Sequence, residues 1–234
     1  MAILMKIKDI KQPKVSVIVA AFNQEKYIGR CLRSLLHQSL PHSEYEIIVV
    51  DDGSTDSTSY AISLFVDPFN SPVKVISNPV NMGLPSALNT GIKAAKGDYI
   101  VRVDSDDFVN ADFIKLLMMF LEENKHMDAV ACDYFLVDDD ENIRSRASCV
   151  EKPIACGIMF KKEHLFEIGL YDEDFICQEE REIRLRFEKK YSINHLELPL
   201  YRYRRHDNNI TNDIKKMDRL HAKLIQKHGI DDSN

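Results

Sequence analysis

The run Asp104-Ser105-Asp106-Asp107 puts three carboxylates into four residues, directly after the apolar stretch 98–103 (DYIVRV). Carboxylates crowded in this way repel one another, and a divalent cation removes the repulsion. Mg²⁺ and Mn²⁺ take oxygen ligands, typically one or two carboxylates together with substrate phosphates. A solvated acidic turn is the alternative for these residues alone. A second acidic segment, Asp51-Asp52-Gly53-Ser54-Thr55-Asp56, also ends an apolar run. Its Ser, Thr and Asp side chains suit a turn and the cap of a following helix. A third, Glu179-Glu180, opens the charged stretch Arg181-Glu182-Ile183-Arg184-Leu185-Arg186. Read alone, this is a solvated helix laced by Glu–Arg pairs at i,i+4. Finally, Tyr201-Arg202-Tyr203-Arg204-Arg205-His206 gathers guanidinium groups, which match phosphate geometry, beside an imidazole able to ligate Mn²⁺; plain basic surface is its alternative.

The elements that would position these groups follow from hydrophobic patterning. Residues 15–22 (VSVIVAAF), 46–50 (EIIVV), 73–76 and 98–103 are short apolar runs rich in β-branched residues, the pattern of strands buried on both faces. Between the first two, Tyr27, Ile28, Cys31, Leu32, Leu35 and Leu36 recur at three- and four-residue spacings, which predicts a helix. Pro85 suits the first turn of another helix reaching about Lys96, and Gly97 closes it. This alternation predicts an α/β chain with a mostly parallel central sheet flanked by helices. In such sheets ligands bind beyond the carboxyl ends of the strands, so segments 20–23, 51–56 and 104–107 are expected at one edge. The second half is less regular: helix over 113–121, strand over 129–137, acidic turn at 138–141, helix over 179–189, strand over 196–204 and a basic amphipathic helix over 214–228.

The 234 residues carry no Pro/Gly/Ser-rich linker and read as one domain, 1–234, with halves 14–110 and 111–212 and a terminal helix in 213–234. Apolar residues form 44% of the chain, enough for a sizeable core. A net charge of −6 argues against nucleic acid as the partner. The opening segment lacks the apolar stretch of a secretory signal. The five cysteines, Cys31, Cys132, Cys149, Cys156 and Cys177, contain no CxxC pair and suit reduced thiols in a cytoplasm.

Three segments carry a resemblance: VSVIVAAFNQEKYIGRCLRSLLHQ, EIIVVDDGSTDST and NMGLPSALNTGIKAAKGDYIVRVDSDD. In this order and approximate spacing they resemble family 2 glycosyltransferases of the GT-A fold, over most of residues 14–108. The resemblance implies a Rossmann-like nucleotide-binding half joined to an acceptor-binding half. It implies an inverting transfer from a nucleotide-sugar donor, commonly a UDP-sugar, to a saccharide or lipid-linked saccharide acceptor, with Mn²⁺ or Mg²⁺ as cofactor. It also implies roles for single residues. Ala20, Ala21, Phe22 and Asn23 would contact the nucleotide and Asp52 the base. Asn81, Gly83 and Asn89 would border the donor, with Asp104 and Ser105 near the ribose. Asp106 would hold the metal, with a contribution from His206, while Arg102, Arg204 and Arg205 are the diphosphate candidates. Strand alternation is able to turn Arg102 away from the site. The family's catalytic base is the second acid of the pair opening the later helix; here that is Glu180, with Glu179 as fallback, where relatives carry Asp.

The resemblance suggests a role in bacterial surface polysaccharide or lipooligosaccharide synthesis at the cytoplasmic side. The helix at 214–228 is suited to a peripheral anionic membrane surface, to packing on the domain, or to a partner subunit in a homo-oligomer. A sugar-1-phosphate nucleotidyltransferase would need a Gly-rich basic loop, but segment 20–30 holds only Gly29. A haloacid-type phosphatase would need DxDGT after its first strand, which has no Asp. A non-catalytic scaffold of the same fold is the remaining alternative, kept open by Glu in place of Asp at position 180.

Overall fold

The computed structural model of the chain describes residues 12–67, 71–206 and 214–229. The opening segment and residues 230–234 lie outside the described residues, as do the side chains at 214–219 and 221, on which part of the expected apolar and basic faces of the last helix falls.

The first four long strands, β1 (Val15–Ala21), β2 (Tyr45–Asp51), β3 (Val73–Ser77) and β4 (Tyr99–Arg102), pair in parallel in the order β3-β2-β1-β4. The helices between them are α1 (Ile28–Leu36), α2 (Thr58–Ser63) and α3 (Leu84–Ala94). Because β1 lies between β2 and β4, the strand order reverses at its carboxyl end. That crevice is where ligands enter open α/β sheets.

The chain continues through β5 (Phe108–Val109), α4 (Phe113–Glu123), β6 (Ala129–Val137), β7 (Ile143–Ala147), β8 (Ile158–Lys161), α5 (Lys162–Glu167), α6 (Glu179–Phe187), β9 (Ile193–Arg204) and α7 (Ile214–His228). These strands extend the same sheet as β4-β8-β6-β9-β5, with β7 pairing β6 at the margin. The β6–β9 pair is parallel, while β4–β8, β6–β8, β6–β7 and β5–β9 are antiparallel. One nine-stranded sheet thus carries both halves of the chain.

Two apolar layers cover it. On one face Ile28, Leu32 and Leu35 of α1 and Phe113, Ile114 and Leu117 of α4 are fully buried in one cluster with β1 and β2. On the other, Leu88 and Ile92 of α3 pack with Ile183 and Phe187 of α6. Each fully buried Leu or Ile stabilises by about 1.5–3 kcal/mol. Gly97 lets β4 start tight against β1: a Cβ there would lie 2.6 Å from the Ser16 backbone nitrogen.

Sequence periodicity missed β5, β7, β8 and α5. The strand β7 (IRSRA) has four of its five residues exposed, so no apolar alternation marks it. β5 is two residues long and is made by pairing to β9, and β8 and α5 are four and six residues long. β9 starts three residues before the expected Leu196, because Ile193, Asn194 and His195 pair with β6. α7 packs on the domain: Leu224 is fully buried, and Lys223 and Lys227 pair with Asp174 and with Asp172 and Glu182. Among the described residues no helix is long and apolar enough to cross a membrane.

Candidate active site

A cavity of about 740 Å³ opens at the carboxyl ends of β1, β2 and β4. It draws residues from both halves of the chain: Ala20, Ala21, Phe22, Asn23, Asp52, Asn81 and Gly83, then Arg102, Asp104, Ser105 and Asp106, and from the second half Glu179, Glu180 and Arg205. Of the sequence candidates, Asn89, Arg204 and His206 do not line it.

The floor is built by two interlocked loops. After β1, Asn23 adopts a positive φ of 53°. Its backbone nitrogen donates to Ser54 Oγ (3.1 Å), and its Oδ1 accepts from the Thr55 nitrogen (2.8 Å). Gln24 and Glu25 likewise donate from their backbone to Thr58 Oγ1 and Asp56 Oδ2. The two aspartates after β2 therefore diverge in role. Asp51 accepts from the Ser54 nitrogen and the Ser59 hydroxyl, so it holds the turn and ties it to α2. Asp52 points into the cavity and accepts from Asn78 Nδ2 (2.7 Å), the Met82 nitrogen (3.0 Å) and the Gly83 nitrogen (2.9 Å). It thereby fixes loop 78–83 as the wall opposite Ala20. Gly53, with φ 73°, permits this: a Cβ there would sit 2.5 Å from the Val80 carbonyl carbon.

The acidic motif after β4 is sorted by what it touches. Arg102 turns toward the site and is 7% exposed. It donates to both oxygens of Asp104 (2.6 and 3.3 Å) and to Glu179 Oε1 (2.9 Å). Burial alone would lower its pKa, but Asp104 and Glu179 raise it and hold the guanidinium charged. Asp106 Oδ2 lies 2.9 Å from His206 Nε2, and the His206 ring stacks on Tyr27 at 4.8 Å. Asp107 points the other way, into the core. It accepts from the Tyr201 hydroxyl (2.8 Å) and the Arg204 nitrogen (2.7 Å), and burial, then Asp106 and Asp104, push its pKa up. It is the pin between the acidic loop and β9.

The expectation that Arg204 faces the diphosphate is corrected by its surroundings. It is 2% exposed and donates to the carbonyls of Asp106 (2.9 Å) and Asp139 (2.9 Å) and to Glu141 (3.2 Å), so it props the acidic loop from behind. Asn89 is corrected likewise. It is buried and bridges α3 to the second half, donating to the Tyr171 carbonyl (2.9 Å) and accepting from the Tyr171 nitrogen (3.0 Å).

At the N-terminus of α6 the two glutamates separate. Glu179 is buried against Arg102; burial raises its pKa and Arg102 opposes the rise. Glu180 lies in the cavity, and burial, with Glu179 beside it, pushes its pKa up to about 7. A carboxylate there is poised to exchange a proton near neutrality. Sequence reasoning missed Tyr134, Lys152, Ile154, Ile176 and Tyr203, which complete the wall. No spacing marks them, because loops and alternate strand positions bring them in.

The residues fit a divalent cation at Asp106 and His206. Two ligand atoms on adjacent corners of an octahedral ion with bonds of about 2.1 Å lie about 3 Å apart. The Asp106 Oδ2 to His206 Nε2 separation of 2.9 Å, held here by a hydrogen bond, matches that spacing.

The model of the family described as glycosyl transferase family 2 matches residues 16–191. A poly(ribitol-phosphate) beta-glucosyltransferase of Bacillus spizizenii is 41% identical over 113 residues, 48% of this chain and 18% of its own length. The Staphylococcus aureus poly(ribitol-phosphate) beta-N-acetylglucosaminyltransferase TarS is 39% identical over 118 residues, 50% of this chain and 20% of its own. The matches thus span about a fifth of these relatives. The crystal structure of TarS residues 1–349 with UDP superposes at a TM-score of 0.72 and 24% identity, over 94% of this chain and 68% of that one. A mannosyltransferase of Pyrobaculum calidifontis, solved with GDP-Man and Mn²⁺, gives 0.73 at 19% identity, over 94% and 65%. At these identities the structures show a shared α/β, GT-A fold.

Proposed function

This chain belongs to glycosyltransferase family 2, and from that premise we propose that it transfers a sugar from a nucleotide-diphosphate donor, a UDP-sugar, to an acceptor hydroxyl with inversion at the anomeric carbon. The observation that carries this reading is the convergence, in one cavity, of Asp52, Asp104 and Asp106 from the first half with Glu180 from the second.

The geometry supports the following roles. Asp52 has used three acceptor positions on loop 78–83 and keeps a face toward the cavity, where it accepts from the base. Backbone at Ala20–Asn23 borders the nucleoside, with Asp104 and Ser105 near the ribose. Asp106 and His206 are the residues that would hold Mn²⁺ or Mg²⁺, which when bound would supply positive charge against the departing diphosphate. Arg102 fixes the rotamers of Asp104 and Glu179 through charge-assisted hydrogen bonds and is itself neutralised. Glu180 takes the proton of the acceptor hydroxyl as that oxygen attacks the anomeric carbon; the bond to the diphosphate oxygen breaks, and the electron pair leaves with the nucleotide. Glu179 is the poorer base because its charge is committed to Arg102.

The relatives named above act on poly(ribitol-phosphate), which supports a surface polymer as the acceptor. A cytoplasmic site of action belongs to the same proposal. The test is a panel of UDP-glucose, UDP-GlcNAc and GDP-mannose with Mn²⁺ or Mg²⁺, scored for binding and nucleotide release. If no nucleotide binds, or if binding is indifferent to Asp52→Ala and Asp106→Ala, the proposal fails.

A further inference from the structure

The charges lining the cavity do not balance locally, and the imbalance has a definite place. Five carboxylates and three cations line it: Asp52, Asp104, Asp106, Glu179 and Glu180 against Arg102, Lys152 and Arg205. Arg102 is consumed by Asp104 and Glu179. Neither the Lys152 ammonium nor the Arg205 guanidinium has a carboxylate partner among the described residues, although the chain as a whole carries 37 acidic against 31 basic side chains.

The two cations share one wall. Tyr134 and Tyr203 stand edge to face, with ring centroids 6.1 Å apart. The Tyr134 hydroxyl donates to the Lys152 carbonyl (2.8 Å), and the Arg205 guanidinium carbon lies 5.4 Å from the Tyr203 ring centre. The Lys152 backbone is thus tied to Tyr134 and the Arg205 guanidinium lies over Tyr203, and both residues line the second-half side of the cavity. The end of β9 separates Arg205 from the acidic loop by alternation. Arg204 and His206 both turn to Tyr27, at 5.1 and 4.8 Å, on the side of Asp106, while Arg205 between them turns to Tyr203. That placement takes Arg205 away from the expected diphosphate position. A guanidinium parked over an aromatic face keeps its edge donors available, and the exposed Lys152 side chain, on the same cavity lining, adds an orientation-tolerant charge within reach of the solvent-filled space.

Resting on the glycosyl-transfer reading above, we infer that the acceptor carries an anionic group, a phosphate or a carboxylate, which Lys152 and Arg205 bind at the tyrosine wall while Glu180 engages the attacking hydroxyl. The site then distinguishes an acidic acceptor from a neutral sugar by charge, before any linkage-specific contact.

The experiment is a titration of the full chain, preloaded with UDP and Mg²⁺, with inorganic phosphate and separately with glucuronate, followed by calorimetry. The two anions distinguish a phosphate-bearing from a uronate-bearing acceptor. Wild type is expected to bind at least one of them at a site other than that of UDP. The Lys152→Gln/Arg205→Gln double variant is expected to weaken that binding at least about tenfold, with UDP affinity within about twofold of wild type and the thermal midpoint unchanged. Absence of anion binding to the UDP-loaded protein overturns the inference, and so does an equal loss of UDP affinity, which would assign both cations to the donor. Failure of the wild-type chain to bind UDP at all would instead remove the glycosyl-transfer reading, and this inference with it.

Discussion

Glu180 offers the sharpest handle, because its environment converts into a rate profile. Burial and the neighbouring Glu179 lift its pKa from an ordinary 4.5 to about 7. A general base acts in its ionised form, so activity must rise with pH through the pKa. With a pKa near 7, about nine-tenths of Glu180 is ionised at pH 8 and about one-tenth at pH 6. The value of kcat/KM is therefore expected to fall roughly tenfold between those pH values, along a one-proton limb. An unshifted glutamate would leave the rate flat over the same interval. Glu179→Gln removes the neighbouring negative charge and should move the limb toward acid, while Glu180→Gln should lose about 10²–10⁴-fold in turnover and still bind donor. The assay is nucleotide release at saturating metal from pH 5 to 9, with UDP affinity measured in parallel. A limb unmoved by Glu179→Gln, or full turnover by the Glu180→Gln enzyme, would refute the assignment of the base.

Three further outcomes are expected. Asp106→Ala should lose metal stimulation of donor turnover by at least about 10²-fold, and His206→Ala by less, since the carboxylate carries the charge; metal-dependence curves check this. Gly53→Ala should cost about 1–3 kcal/mol in backbone strain at φ 73°, beyond the 2.5 Å clash with Val80. It should lower Tm by roughly 2–12 °C and weaken UDP binding, since it displaces the loop that Asp52 holds, readable by calorimetry with and without UDP. Leu224→Ala should destabilise by about 2–5 kcal/mol in chemical denaturation, because Leu224 of α7 is fully buried; a negligible change would mean that this helix serves another surface.

The residue types themselves determined the first half. Apolar β-branched runs of strand length, separated by amphipathic helices, have few alternatives to a covered parallel sheet. Polar segments following such strands are then expected at one edge, which is why 20–23, 51–56 and 104–107 were legible as segments in the sequence before any coordinates. The second half was not legible in this way. β7 is a mostly exposed strand without apolar alternation, and β5 exists only through its pairing with β9.

The resemblance singled out Asp52, Asp106 and Glu180, but only tertiary structure gives the physical reason why one member of each polar cluster faces the cavity and its neighbour does not. Asp51 holds its turn and Asp52 faces the cavity; Asp107 pins β9 while Asp106 meets His206; Arg204 supports from behind while Arg205 faces Tyr203. Sequence lists each pair as near-equivalent neighbours. A charge's chemistry depends on what surrounds it in space, and for Glu179 and Glu180 the deciding partner, Arg102, lies 77 residues back along the chain from Glu179.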